Sequence, residues 1–163
     1  MNLNRLACLA WDGNEAPIGG VAIITSLECS RLHRMATSKK PTVLLVDDDS
    51  MMRNVLKIIL KSEGYRQIDE ASNGEEAIAQ CLRLRPDLVL LDINMPKMTG
   101  LQALEGIRKA SPTTLVLMVS AESTLDKVDE ALKKGAAGFV VKPITAANVL
   151  AKIESCLKRR ANP

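Results

Sequence analysis

At 163 residues, 47% of them hydrophobic, the chain can bury one good core and has no room for two full domains. Charged residues make up 25% of it with both signs interspersed, and the formal net charge of +3 describes an ordinary surface that implies neither nucleic acid nor an anionic membrane as a partner. One Trp, one Tyr and one Phe leave almost nothing from which to build a base-stacking surface, and no apolar run approaches the roughly 18 residues that a transmembrane helix needs.

The chain divides near Pro41. Residues 1–40 hold Gly13, Pro17, Gly19 and Gly20, two short apolar stretches (Leu6 to Trp11 and Val21 to Leu27) and no sustained period. Basic residues follow the second stretch rather than precede it, so it makes a poor signal peptide. Met35 opens a polar run, Met35-Ala36-Thr37-Ser38-Lys39-Lys40. The expectation is that residues 1–40 are a disordered or non-native extension, with Met35 as a candidate natural start and residues 1–34 upstream of it. The competing reading is a flexible arm with a binding role.

From Pro41 strands and helices alternate. Thr42 to Val46 is a continuous apolar run ending in acids, as expected of a strand buried on both faces. Ser50 can cap the helix that follows, whose Val55, Leu56, Ile59 and Leu60 fall at helical spacing before Gly64 ends it. A weak strand lies around Gln67 to Ala71. Asn73-Gly74 makes a turn, and a helix carries Ala77, Ile78, Cys81 and Leu82 toward Pro86. Asp87 to Leu91 is the second strong strand, after which a loop holding Pro96 and Gly100 leads into a short helix from Leu101 to Lys109. Pro112 introduces the strand Leu115 to Val119, and a helix from about Thr124 to Lys134 is stopped by Gly135. The strand Gly138 to Val141 runs into Lys142-Pro143, and a last helix over Thr145 to Lys158 sets Val149, Leu150, Ile153 and Leu157 on one face. Five strand–helix units imply a doubly wound α/β domain over residues 41–160: a five-stranded parallel sheet with flanking helices, in the flavodoxin-like order 2-1-3-4-5.

The four cysteines, Cys8, Cys29, Cys81 and Cys156, form no CxxC pair and stand near no His, which argues against zinc. Cys81 and Cys156 fall on apolar helix faces and read as buried thiols. A disulfide between Cys8 and Cys29 has no other sign of secretion to support it.

Ligands of such a sheet bind outside the carboxyl ends of its strands. Asp47, Asp48 and Asp49 follow the first strand, Asp92 follows the third, Ser120 the fourth and Lys142 the fifth. Taken singly, each has an ordinary explanation: Asp and Ser suit strand ends and helix caps, and a Lys before a Pro is commonly a solvated loop residue. Together they are harder to dismiss. Asp47, Asp48 and Asp92 at one edge repel one another unless a cation compensates, and a hard divalent ion, most naturally Mg2+, suits oxygen ligands. There is no phosphate loop of the GxxxxGK[ST] type, and the one His, His33, lies in the N-terminal segment. A carboxylate nucleophile beside Mg2+, a Lys and a hydroxyl suits in-line phosphoryl transfer onto Asp92.

These residues resemble a known family. Val46-Asp47-Asp48, Leu91-Asp92-Ile93-Asn94-Met95-Pro96, Val119-Ser120-Ala121-Glu122 and Gly138-Phe139-Val140-Val141-Lys142-Pro143 stand in the order and spacing of the receiver domain of bacterial response regulators, the CheY-like superfamily. The likeness runs from about Thr42 to Lys158 and is strongest to stand-alone, single-domain members. It implies that Asp92 is the phosphorylation site. Asp48, Asp92 and the backbone carbonyl of Asn94 are implied as Mg2+ ligands, with Asp47 acting mostly through a metal-bound water. Lys142 is implied to pair with phosphoryl oxygens ahead of a cis bond to Pro143. Ser120 is implied to rotate onto the phosphoryl group, and Phe139 to turn inward into the space that Ser120 leaves. By position alone Phe139 is an ordinary core aromatic. Many relatives carry Tyr there, so partner contacts that need a hydroxyl are in doubt. Asn94 and Glu122 flank the site, which implies self-dephosphorylation that is not unusually slow.

The resemblance further implies a cytoplasmic, single-domain regulator that takes phosphate from a sensor histidine kinase or a histidine phosphotransfer protein. Such a regulator signals to a downstream protein, with no nucleic acid or membrane partner and no foreign substrate. A phosphorelay shuttle is the rival within the family. A Mg2+-dependent phosphatase with an Asp nucleophile usually needs a second acid two residues on, where this chain has Asn94. A structural or nucleic-acid-binding module would lack Mg2+ binding, and the acidic edge would repel a phosphate backbone.

Overall fold

Short segments that are apolar at nearly every position can bury both faces only inside a sheet covered on both sides, and all the strands but the second, Ile68–Ala71, are such segments. The computed structural model describes residues 40–121 and 124–161. In chain order they form β1 (Val43–Val46), α1 (Ser50–Ser62), β2 (Ile68–Ala71), α2 (Gly74–Leu84), β3 (Leu88–Asp92), α3 (Gly100–Ala110), β4 (Leu115–Ser120), α4 (Leu125–Lys133), β5 (Gly138–Val141) and α5 (Ala146–Ala161). The strands make one parallel sheet in the order β2-β1-β3-β4-β5, as expected from the sequence. Leu44 lies opposite Val89, Leu91 opposite Met118 and Ser120 opposite Val141.

Alternation along the strands sorts the core into two halves. Leu44, Val46, Val89, Leu91, Val116 and Met118 face one side, against Ala77 and Cys81 of α2, Ala103, Leu104 and Ile107 of α3, and Ala131 of α4. Val43, Leu45, Leu88, Leu90, Leu117 and Val119 face the other, against Leu56 and Leu60 of α1 and Val149, Ile153 and Cys156 of α5. Three helices therefore cover one face and two cover the other. Cys81 and Cys156 are buried free thiols, as expected. Cys8, Cys29, His33, Met35 and the rest of residues 1–39 lie outside the described residues.

Local differences from the expected elements have local causes. The cap of α1 is Asp49 rather than Ser50: its Oδ1 accepts from the Met51 amide at 2.8 Å. Two good capping side chains stand side by side there, and residue type does not choose between them. The third helix begins one residue early, at Gly100, because Thr99 and Gln102 close a capping box on its first turn. Val55 and Leu82, placed on buried helix faces by spacing, are 44% and 60% exposed. Each helix meets the sheet along a narrow stripe, in α1 only Leu56 and Leu60, and the flanking apolar positions stay in solvent. The basic end of α5 is tied down: Lys158 pairs with Glu154, Arg159 donates to the Ala137 carbonyl, and Arg160 pairs with Asp87.

Candidate acidic site at the carboxyl edge of the sheet

Parallel strands end on one edge, and three adjacent ones, β1, β3 and β4, end in or run into polar residues there. Asp47 directly follows β1, with its amide still bonded to the Ala71 carbonyl of β2 at 3.3 Å. Asp92 is the last residue of β3 and Ser120 the last of β4. All three are buried, at 2%, 3% and 0% exposure, in an otherwise apolar environment. Polar side chains at such depth need defined partners.

The two aspartates find them. Asp47 Oδ1 accepts from the Asp49 amide at 2.9 Å, and Asp92 Oδ2 accepts from the Asn94 amide at 2.7 Å. Each turns its other oxygen to the same ammonium: Lys142 Nζ lies 2.7 Å from Asp92 Oδ1 and 3.0 Å from Asp47 Oδ2. Lys142 follows β5 and reaches the centre of the edge because its amide donates to the Ser120 carbonyl at 2.8 Å. The Lys142-Pro143 bond that follows is cis. The cation is thus held across strands whose residues are 95 and 50 positions away in sequence.

The electrostatics follow from burial and pairing. Burial pushes the Asp47 carboxyl above its ordinary range, against the Asp49 amide and Lys142, which pull it down. For Lys142 burial works to lower the pKa, but hydrogen bonds to Asp92 and Asp47 outweigh it and raise it, so the ammonium stays charged. Asp48, unlike its neighbour, is exposed. Carboxylate oxygens of Asp47, Asp48 and Asp92 nevertheless come within 4.8 Å of one another. That donor set is all oxygen and carries more carboxylate than Lys142 alone neutralises. Each buried carboxylate oxygen has one of these hydrogen bonds and, as an sp2 oxygen, a second lone pair. The residues present therefore fit a hard divalent cation.

Asn94 is exposed on the loop after β3, with its backbone beside Asp92. Phe139 is buried in β5, opposite Met118 and on the sheet face covered by α2, α3 and α4. Because Ser120 is two residues beyond Met118, it shares that face. Glu122 lies outside the described residues. The expected site residues Asp47, Asp48, Asp92, Asn94, Ser120 and Lys142 all come to one edge, with Phe139 one strand pair behind them.

Sequence reading passed over two contributors. Gly100 donates its amide to the Ile93 carbonyl at 2.8 Å and packs so closely on β3 that a Cβ there would sit 2.0 Å from the Asp92 carbonyl oxygen. Arg53 of α1 reaches back to the acidic loop, where Nη1 donates to the Asp47 carbonyl at 2.7 Å. The Thr99-Gly100-Leu101-Gln102 capping box was a readable signal for the first. A lone Arg on an amphipathic helix offers none.

Known proteins share this fold and much of its sequence. The chain is 42% identical over 116 residues to the chemotaxis protein CheY of Listeria monocytogenes, a match spanning 71% of this chain and 98% of that protein. It is also 42% identical over 123 residues to a protein-glutamate methylesterase/protein-glutamine glutaminase of Archaeoglobus fulgidus, covering 72% of this chain but 34% of the relative. Among solved structures, the CheX-CheY complex with BeF3 and Mg2+ from Borrelia burgdorferi superposes with a TM-score of 0.69 at 39% identity, over 71% of this chain and 88% of that one. The family model described as the response regulator receiver domain matches residues 43–154, and the chain belongs to that family.

Proposed function

We propose that this chain is a phosphorylation switch of two-component signalling, in which Asp92 accepts a phosphoryl group from a histidine kinase or a histidine phosphotransfer protein. The observation that carries this reading is the Lys142 ammonium shared between the buried carboxylates of Asp92 and Asp47 at 2.7 and 3.0 Å. A carboxylate that is a nucleophile toward phosphorus needs a fixed positive charge where the phosphoryl oxygens arrive, and Lys142 is charged and already in place.

In the step itself an Asp92 carboxylate oxygen forms the new O–P bond. The donor's P–N bond breaks in line with it, and the leaving imidazole nitrogen keeps the electron pair. Asp47, Asp48, Asp92 and the backbone carbonyl of Asn94 would hold Mg2+, whose chemistry is to neutralise charge on the transferring phosphoryl oxygens. The Asn94 amide fixes one Asp92 oxygen. Lys142 can exchange its Asp92 contact for a phosphoryl oxygen while keeping Asp47. No foreign substrate is turned over, and the phosphoryl group leaves again by hydrolysis.

The product adds about −1.5 to −2 charges and three strong acceptors at the sheet edge. Ser120 is the hydroxyl placed to answer it, and Phe139, on the same face one strand over, is the side chain that fills the space Ser120 leaves. A downstream protein that prefers the rearranged surface of β5 and its neighbouring helices then shifts the population by its differential affinity. A role as a self-standing regulator, with residues 41–160 as the acting unit, draws support from the match to nearly the whole of the Listeria protein.

The test is intact mass after incubation with acetyl phosphate and Mg2+. The expected result is one phosphoryl adduct, absent when the metal is chelated and absent in Asp92→Asn. Folded wild-type protein that takes up no phosphoryl group refutes the proposal.

A further inference from the structure

We infer that Arg53 is a positioning residue for the acidic loop, a clamp that sets the backbone of Asp48 so that its carboxylate meets those of Asp47 and Asp92; this rests on the Mg2+-dependent reading of the site. The two buried aspartates need no such help, since Lys142 and two backbone amides hold them. Asp48 is different. Its side chain is exposed, and no hydrogen bond or ion pair fixes it among the described residues. Where its carboxylate stands depends on the backbone dihedrals at residue 48, and these are bounded by the carbonyls of Asp47 and Asp48. Arg53 Nη1 donates to the first at 2.7 Å and lies 3.5 Å from the second.

The clamp is itself anchored. Arg53 Nε donates to Glu70 Oε2 on β2 at 3.2 Å, and the other Glu70 oxygen pairs with Lys57, one turn along α1. Those bonds from Lys57 and Arg53 hold the Glu70 carboxyl below its ordinary range, burial opposing them. The Arg53 amide also donates to the Asp49 carbonyl at 3.1 Å, so one residue grips the loop from both its backbone and its side chain. An exposed Arg–Glu pair would be worth little. Here the Arg53 side chain is 16% exposed, and the rigid guanidinium divides its fork between a charged anchor and a main-chain carbonyl. A surface ion pair kept for its own stability has no reason to aim its second donor at the one peptide that orients an otherwise unheld carboxylate.

The experiment is calorimetric titration of the full chain with MgCl2, for wild type, Arg53→Met, Arg53→Lys and Thr114→Val. Arg53→Met keeps the apolar stem and deletes the donors. Its Mg2+ affinity is expected to fall about ten-fold or more, the scale seen when groups that orient metal ligands are removed. Arg53→Lys retains one donor for the Asp47 carbonyl and recovers part of the loss. Thr114→Val removes a buried hydroxyl bonded to the Pro86 carbonyl at the opposite end of β4, and lowers the melting temperature without changing Mg2+ affinity. If Arg53→Met does not fold, Glu70→Gln, which weakens the anchor while leaving an acceptor, carries the same expectation at a smaller size. Equal Mg2+ binding by wild type and Arg53→Met overturns the clamp, as does an equal loss in Thr114→Val or no recovery in Arg53→Lys. Wild-type protein that binds no Mg2+ overturns the receiver reading itself, so the two failures are told apart.

Discussion

Among the described glycines Gly100 is the one where an added Cβ would meet backbone, and it sets up a quantitative prediction for Gly100→Ala. The added Cβ would lie 2.0 Å from the Asp92 carbonyl oxygen, 2.7 Å from Ile93 Cα and 2.9 Å from the Asp92 carbonyl carbon, where ordinary contact begins at 3.4 Å. All three atoms are backbone, so no side chain can swing aside. The start of α3 must back away from the end of β3, which also stretches the 2.8 Å bond from the Gly100 amide to the Ile93 carbonyl. Overpacking of this kind costs about 1–3 kcal/mol, and weakening a hydrogen bond adds up to about 1. The helix propensity of Ala returns at most about 1 kcal/mol. With no side chain able to yield, the upper part of the overpacking range applies, and the net is a destabilisation of about 2–3 kcal/mol, or a drop of roughly 10 °C in Tm for a domain of this size. Because the atom pushed belongs to Asp92, phosphoryl uptake from acetyl phosphate should slow as well. Gly64→Ala is the comparator. Gly64 has φ +83° but nothing within 4 Å of an added Cβ, so its cost is the left-handed backbone alone, about 1–2 kcal/mol, with phosphoryl uptake unchanged. Thermal melts followed by circular dichroism decide the matter. A Gly100→Ala protein that melts at or above the Gly64→Ala protein, and takes up phosphoryl groups at the wild-type rate, refutes the steric argument.

Other consequences are simpler to check. Arg85 caps α2 in the left-handed region at φ 45°, so Arg85→Gly is expected to stabilise the fold by about 0.5–1 kcal/mol, read as a Tm higher by a few degrees. Asp87 accepts from the Thr42 amide, and this bond, with the Thr42 hydroxyl and Arg160, lowers its pKa against the effect of burial. A depressed carboxylate pKa stabilises the fold above the unfolded value near 4 and loses that contribution as pH falls through the folded one. The stability gap between wild type and Asp87→Asn in urea should therefore be full above about pH 5 and close below it. Burial pushes the Cys81 thiol up to about 11, so peptide mapping after iodoacetamide should find Cys81 unlabelled in the native protein and labelled once denaturant is added.

What could be read from the amino acids was decided by how local each signal is. The strands announced themselves because a parallel sheet covered on both faces demands runs such as Val43 to Val46 and Leu88 to Leu91, buried at every position. Strand order then followed from handedness and element count, and the gathering of Asp47, Asp92 and Lys142 followed from strand order, although the residues lie far apart in the chain. The misplaced features were those that hang on contact rather than pattern. Val55 and Leu82 keep helical spacing with buried neighbours, but how each helix is turned against the sheet decides which flank is covered. Neither the spacing nor the chemistry of Arg53 tells that its guanidinium turns toward the Asp47 carbonyl instead of solvent. Gly100 was read as a loop glycine although the Thr99–Gln102 capping box marks a helix start there, and its need for absent volume leaves no mark beyond the glycine itself.

Phe139 joins the two kinds of signal. Its burial is ordinary for the single aromatic of an apolar strand, and by itself carries no function. The proposed switch role rests on its register: partnered with Met118, it faces the same side of the sheet as Ser120 two residues further along β4. A shift of the Ser120 side chain toward Asp92 would therefore open volume along the row in which Phe139 stands, and dense interiors do not leave such volume empty. In the parallel register a residue at the end of β4 and an aromatic in β5 share one face by the two-residue period alone. Two links then join Asp92 to β5: this row, which crosses from β4 into an edge strand, and Lys142, which directly follows β5 and bonds Asp92 at 2.7 Å.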